Sequence, residues 1–299
     1  MIGRFGKLLL RLIVVFLALI AVRPVANDLR DRLQFSMLTQ RYECGGFGEP
    51  CSLSERRYSA LIPKGDGPFP AVIFFPGSGG DGQGTIRNRP LVQPMLERGY
   101  AVISPTALVI DYRSGPGTGW VWDKASYGWD DYEFTAQLLG DMAERFPIDP
   151  ARILVSGHSR GGSFAWYLAC ADVDPRLKSF APIGGTLQWN KPGSCVTSKF
   201  DFDMFYSHGY ADTIIPFSTT VSAETEPFYT GAIESAYELA FLAKCEADEL
   251  IRNEAYDPRT WTQCANGNSV SLLGFRGGHG IPKGWADKIL DWFEGLPEY

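Results

Sequence analysis

The residues of this 299-residue chain best suited to chemistry are a serine, an aspartate and a histidine that occur in that order. Gly157-His158-Ser159-Arg160-Gly161 has the form G-x-S-x-G. Its surroundings carry the meaning. Asp149-Pro150 reads as a turn, Arg152–Ser156 as a buried strand, and the residues from Gly162 onward as a helix. A strand, a sharp turn and a helix lift a serine hydroxyl out of a sheet and set it at a helix N-terminus, where developing negative charge is favoured. The plainer alternative is a helix-capping serine.

Such a hydroxyl is a weak nucleophile until a base accepts its proton and an acid orients the base. In strand–turn–helix sites of this kind the chain order is nucleophile, acid, base. The run Tyr206-Ser207-His208-Gly209-Tyr210-Ala211-Asp212 ends a strand and enters a turn closed before Pro216, so Asp212 is the candidate acid; its alternative is an ordinary turn aspartate. Three histidines are available. His158 sits inside the elbow, with its side chain expected to point away, and His208 is expected to brace the turn before Asp212. His279, in Gly277-Gly278-His279-Gly280 after the last strand, is the candidate base. An oxyanion also needs two backbone N–H donors. Arg160 supplies one, and the turn Pro76-Gly77-Ser78-Gly79-Gly80-Asp81-Gly82 supplies the other, at Ser78 or Gly79. No Gly-Lys-Ser/Thr follows that turn, which excludes a phosphate-binding P-loop.

The elements needed to position these residues are legible as alternating runs. Ala71–Phe75, Ala101–Ser104, Ile153–Ser156 and Met204–Ser207 are short buried-strand candidates, with a last strand at Val270–Phe275. Arg89–Arg98, Asp130–Arg145, Gly161–Cys170 and Gly284–Phe293 have helical length and spacing. This alternation predicts one α/β domain over 57–299, a mainly parallel sheet with helices on both faces. Residues 105–129 and 209–232 interrupt it as long irregular segments, and a loop of such length is usually functional or mobile.

The net charge is −6, and residues 1–26 hold four basic side chains and no acidic one, so the remainder carries −10. An acidic body without clustered Lys and Arg makes a poor nucleic-acid binder, so no nucleic-acid partner is expected. Residues 8–22 are almost wholly apolar behind Arg4 and Lys7, which gives residues 1–26 the form of a signal peptide or, uncleaved, an N-terminal membrane anchor. Residues 27–56 read as a spacer and cysteine-containing lead-in. Six cysteines in an exported chain can oxidise; fifteen connectivities exist, and the short separations suggest Cys44 with Cys51, Cys170 with Cys195 and Cys245 with Cys264. With no C-x-x-C and no ligand-like histidine spacing, no metal is expected.

Taken together, FFPGSGG (74–80), IDPARILVSGHSRGG (148–162), SHGYADTIIPF (207–217) and GGHGIP (277–282) resemble the α/β-hydrolases related to secreted polyhydroxybutyrate depolymerases and feruloyl or acetylxylan esterases. The resemblance runs from about Arg57 to the C-terminus. It implies the α/β-hydrolase fold, Ser159 as nucleophile, Asp212 as acid, His279 as base, and the Ser78 and Arg160 amides as oxyanion donors. It also implies export to a secreted or periplasmic location, no metal or other cofactor, and a disulfide shortly before the histidine, which matches Cys245–Cys264. Two positions depart from the pattern. The oxyanion turn begins Pro76-Gly77 where the family commonly has His-Gly, and Arg160 stands where Asn is frequent; both changes reshape the pocket.

The expected chemistry is therefore ester hydrolysis through an acyl-enzyme. The expected substrates are feruloyl or acetyl esters of polysaccharide first and short-chain polyester second. Trp120, Trp122, Trp189 and Trp285 are the candidate substrate platforms, since indole faces suit sugar rings and phenolic acyl groups; their alternative is packing of the loops that carry them. A serine peptidase on the same scaffold and a non-catalytic binding protein are the rival classes.

Overall fold

The computed structural model describes residues 36–112, 115–123, 127–188, 195, 197–219, 229–250, 256–262 and 264–297. The expected signal or anchor segment and Trp189 lie outside the described residues. Contacts divide the chain into two units, 1–39 and 40–299. Of the first only 36–39 are described, three of them helical. The second therefore takes in residues 40–56, which the sequence reading separates as a lead-in.

In the second unit, nine strands form one continuous path. In chain order the strands are β1 (Cys51–Leu53), β2 (Arg56–Pro63), β3 (Phe69–Phe75), β4 (Ala101–Pro105), β5 (Val109–Tyr112), β6 (Gly115–Thr118), β7 (Ile148–His158), β8 (Ser179–Ile183), β9 (Asp203–Gly209), β10 (Glu246–Leu250), β11 (Tyr256–Thr262) and β12 (Val270–Phe275). The path is β2-β4-β3-β7-β8-β9-β12-β11-β10, with β1 on β2 and with β5 and β6 forming a separate ribbon. From β4 to β12 every pairing is parallel; β2 and the β10–β11 hairpin are antiparallel. Interior strands covered on both faces need apolar residues at successive positions, which is why AVIFF reads as a run and not as an alternation.

The helices are α1 (Gly82–Arg87), α2 (Arg89–Glu97), α3 (Asp131–Arg145), α4 (Arg160–Cys170), α5 (Ala232–Leu242) and α6 (Trp285–Glu294). Strand alternation sorts their partners. Ala71, Ile73 and Phe75 share one core with Phe134, Leu138 and Met142 of α3, Phe164 and Trp166 of α4, and Leu239 of α5. Val72 and Phe74 point to the opposite face, where Phe74 meets Trp285 edge-on with ring centroids 6.4 Å apart. Val92 and Met95 of α2 and Ile289 and Leu290 of α6 are buried as well. Helix α3 starts where Asp130 accepts the amides of Tyr132 and Glu133, which satisfies two of the donors every helix N-terminus leaves open.

The 105–129 segment expected as a loop holds the β5–β6 ribbon. Its end is tied to the domain through Arg56, which pairs with buried Asp131; the other Asp131 oxygen accepts the Val121 amide at 2.6 Å. Helix α5, strand β8 and the β10–β11 hairpin were not anticipated from sequence. Disulfides join Cys44–Cys51, Cys170–Cys195 and Cys245–Cys264, and among the described residues no cysteine is free.

Candidate active site

Because β3, β7, β9 and β12 run parallel, the turns that follow them leave the sheet at one edge, the usual place for a site in an open α/β sheet. Ser159 lies at the β7–α4 junction with φ 57° and ψ −122°, a conformation a non-glycine residue rarely adopts. Its amide donates to the Ile183 carbonyl at 3.0 Å. The turn is possible because glycines flank it: a Cβ on Gly161 would lie 2.0 Å from the Phe75 carbonyl oxygen, and one on Gly157 2.4 Å from the Gly161 carbonyl.

The structure brings Ser159, Asp212 and His279 into one hydrogen-bond chain. His279 Nδ1 donates to Asp212 Oδ2 at 2.7 Å, leaving Nε2 to accept the Ser159 hydroxyl at 2.8 Å. Asp212 is buried, and its Oδ1 accepts the amides of Ile214 and Ile215, each at 2.9 Å. His208 Nε2 lies 3.2 Å from Oδ2. Burial raises the Asp212 pKa, but the hydrogen bonds from His208, His279, Ile215 and Ile214 outweigh it and hold the carboxyl well below the ordinary carboxylate range.

His208 braces the Asp212 turn. Its Nε2 also donates to the Ile215 carbonyl at 2.9 Å, while buried Tyr206 donates its hydroxyl to Nδ1 at 2.5 Å. His158 does not merely point away. Its Nε2 donates to the His279 carbonyl, its ring lies 5.0 Å from that of His279, and a Cβ on Gly77 would sit 3.5 Å from its Nδ1. Burial pushes its imidazole down, so it is neutral near pH 7. It thus touches both the loop carrying His279 and the turn after β3.

That turn packs on Ser159, since a Cβ on Gly77 would meet the Ser159 Cβ at 3.2 Å. Of the two alternatives for the second oxyanion donor, Gly79 is already engaged: its amide donates to the Thr118 carbonyl at 2.9 Å. The amides of Ser78 and Arg160 have no hydrogen-bond partner among the described residues.

Two of the expected substrate platforms are core residues. Trp120 is 1% exposed, stacks on Phe164 at 5.5 Å and donates Nε1 to the Pro76 carbonyl at 2.8 Å. Trp285 is fully buried and donates to Ser207 Oγ at 2.9 Å. Each indole N–H meets a distant acceptor, so burial leaves no polar group unpaired and removes the ring from any substrate. Trp122 is half-buried, stacked on Tyr167 with centroids 4.8 Å apart and an interplanar angle of 16°. The Arg160 guanidinium lies 4.6 Å over Trp122 and 5.7 Å from Tyr112. Sequence reasoning had no signal for Tyr112 or Tyr167 at this wall. Among the described residues, no group of three or more His, Cys, Asp or Glu side chains is arranged to hold a metal ion.

A parallel sheet crossed over on both faces, with a strained serine at a strand–helix turn, defines the α/β-hydrolase fold. No protein-family model matches the chain. It is 27% identical over 117 residues to the bifunctional acetylxylan esterase/xylanase XynS20E of Neocallimastix patriciarum, covering 39% of this chain and 15% of that protein. It is 24% identical over 186 residues to feruloyl esterase B of Piromyces equi, covering 60% of this chain and 34% of that protein. The matches thus span about a third or less of the length of either relative. Among solved structures, the acetyl xylan esterase from Aspergillus awamori superposes with a TM-score of 0.56 at 17% identity, covering 81% of this chain and 94% of that one. The Bacillus cereus carboxylesterase gives 0.52 at 16% identity, covering 81% and 94%. The chain is an α/β-hydrolase in fold, similar in sequence to acetylxylan and feruloyl esterases.

Among the described residues no helix is long and apolar enough to cross a membrane. The three disulfides fit an oxidising compartment.

Proposed function

We propose that the protein is a serine carboxylic ester hydrolase working through an acyl-enzyme. The observation that carries this reading is the continuous hydrogen-bond chain from Asp212 through His279 to the Ser159 hydroxyl. His279 Nε2 takes the hydroxyl proton as Ser159 Oγ attacks the ester carbonyl carbon. The Ser78 and Arg160 amides hold the resulting oxyanion. Collapse of the tetrahedral intermediate expels the alkoxide, which takes the proton from His279. Water, deprotonated by the same nitrogen, then attacks the acyl-enzyme and releases the carboxylic acid with free Ser159. Asp212 stays ionised throughout, because its hydrogen bonds hold it so, and it stabilises the imidazolium that forms in both halves.

The acyl group we assign is feruloyl or acetyl on a polysaccharide alcohol. The names of the two sequence relatives support that assignment, as does the half-buried Trp122, stacked on buried Tyr167. Export through residues 1–26 accords with the three disulfides.

The test is hydrolysis of p-nitrophenyl acetate and methyl ferulate by the wild type and Ser159→Ala. Turnover of both esters by the wild type and of neither by the variant supports the full reading. Turnover of the acetate alone retains the mechanism and removes the feruloyl group. No turnover of either ester, or equal turnover by the variant, overturns the reading.

A further inference from the structure

Arg160 is hard to account for as a stabilising residue. It occupies the first position of α4, where the helix macrodipole disfavours a cation. Its guanidinium is half-buried, yet it pairs with no carboxylate among the described residues. Its hydrogen bond is from Nε to the Trp120 carbonyl at 2.6 Å. The two Nη groups, four N–H donors in a planar fork, make no hydrogen bond among the described residues, with the neutral Tyr229 phenol as an electrostatic neighbour. The aromatic rings fix the orientation of the group without neutralising it: Trp122 lies 4.6 Å beneath the Cζ, backed by Tyr167, and Tyr112 lies 5.7 Å away. A cation held this way keeps its outward donors pre-aimed, which lowers the entropy cost of gripping an anion.

The topology says which part of an ester would meet it. Acid and base come from the turns after β9 and β12, on one side of β7 in the sheet order. The Arg160–Trp122–Tyr112 wall is tied to the other side. The segment that carries it bonds the turn after β3 through Gly79 N to Thr118 O at 2.9 Å and Thr118 Oγ1 to Gly80 O at 2.7 Å. The departing alcohol must take its proton from His279 and so lies on the His279 side. The acyl chain then runs the opposite way, toward the guanidinium.

We propose that the Arg160 guanidinium is a carboxylate-binding subsite that selects esters whose acyl part carries a second, ionised carboxyl group. A bidentate Arg–carboxylate contact satisfies the Nη fork. This inference rests on the ester-hydrolase reading but not on the feruloyl or acetyl assignment, whose acyl groups carry no second carboxyl; it ranks carboxylated acyl chains ahead of them.

The test compares monomethyl adipate with methyl hexanoate, nearly equal in length and different in charge, by acid release in a pH-stat at pH 7.5. The quantity read is the ratio of kcat/KM for the charged ester to that for the neutral one, in wild type, Arg160→Gln and Arg160→Lys. Because the Arg160 amide also serves the oxyanion, any shift of the backbone in a variant lowers both rates and cancels in the ratio. The expected wild-type ratio is about ten or more, since one half-buried charge-assisted contact is worth about a factor of ten. Arg160→Gln brings the ratio to about one, Arg160→Lys leaves it between the two, and 0.5 M NaCl lowers the wild-type ratio. A wild-type ratio of one or below, or a ratio unchanged by Arg160→Gln, overturns the subsite and leaves the esterase reading standing. Failure to cleave these two esters and p-nitrophenyl acetate alike overturns both.

Discussion

Replacing Asp212 by Asn exchanges one carboxylate oxygen for an NH2 group and, from the hydrogen bonds around it, reverses the role of His279. Asp212 Oδ1 accepts two backbone amides, from Ile214 and Ile215, each at 2.9 Å. An asparagine at this position must keep its carbonyl oxygen there, because an NH2 group facing two N–H donors loses both bonds. Its NH2 group then occupies the Oδ2 position, 2.7 Å from His279 Nδ1. A donor at that point forces Nδ1 to accept, which puts the ring proton on Nε2. Nε2 can then no longer accept the Ser159 hydroxyl at 2.8 Å. The wrong tautomer in a serine triad lowers kcat by about 10³–10⁴, or about 4–5.5 kcal/mol of barrier. Steady-state hydrolysis of p-nitrophenyl acetate at pH 7.5 reads this directly, with KM expected within about threefold of wild type. A fall in kcat of less than tenfold refutes the reasoning, for it means that His279 does not depend on Asp212 for its tautomer. The same variant carries a stability signature. The Asp212 carboxyl is depressed in the fold, so its contribution is present above the ordinary carboxylate range near pH 4 and is lost as pH falls through the lower folded value. The melting advantage of wild type over Asp212→Asn is accordingly largest near neutrality and shrinks on acidification below pH 4.

Variants at His158, at Trp120 and at two disulfides separate roles that the sequence runs together. His158→Phe removes the donor to the His279 carbonyl, so kcat falls about tenfold with KM within threefold, while His158→Gln, which still donates, recovers most of the loss; equal rates for Phe and Gln variants argue against a positioning role. Trp120→Phe leaves the buried Pro76 carbonyl without its donor and loses ring volume, and costs about 2–4 kcal/mol in unfolding experiments without reordering substrates; a changed substrate ranking with intact stability contradicts its placement in the core. Removing the Cys170–Cys195 bridge, which closes a separation of 25 residues, costs about 3.5 kcal/mol by chain entropy, against about 2.4 for Cys44–Cys51 with a separation of 7. Denaturant titration of the two double Cys→Ser variants checks that order.

What was legible in the sequence follows from how local each signal is. Interior strands such as Ala71–Phe75 and Ile153–Ser156 announce themselves because burial on both faces demands consecutive apolar residues. Strand β8, SFAPI, is as buried but carries Pro182 and begins with serine, so its run is too short and too broken to be read. The β5–β6 ribbon hides in glycines and a proline, and α5 begins at the edge of a segment rich in Thr, Ser and Glu. In the site, G-x-S-x-G and the order of Asp212 and His279 are sequence facts, and the fold brings these residues within hydrogen-bond range. The tryptophans were not separable in the same way. Trp120 and Trp122 are two residues apart with one buried and one at a wall, a difference set by where the Pro76 carbonyl and the Arg160 side chain lie. Likewise, the choice of Ser78 over Gly79 depends on a carbonyl forty residues away, at Thr118. The contact made by His158 is not legible in the sequence because its partner is a backbone oxygen more than a hundred residues on.

The central claim is that Ser159 is a nucleophile activated by His279, and the most direct measurement is covalent. The protein is incubated with a fluorophosphonate, and the intact mass and the modified tryptic peptide are determined by mass spectrometry. The account predicts a single phosphonyl adduct on Ser159 in wild type, none in Ser159→Ala, and labelling slowed at least a hundredfold in His279→Ala. An adduct on another residue, or a wild-type protein that stays unmodified, contradicts it.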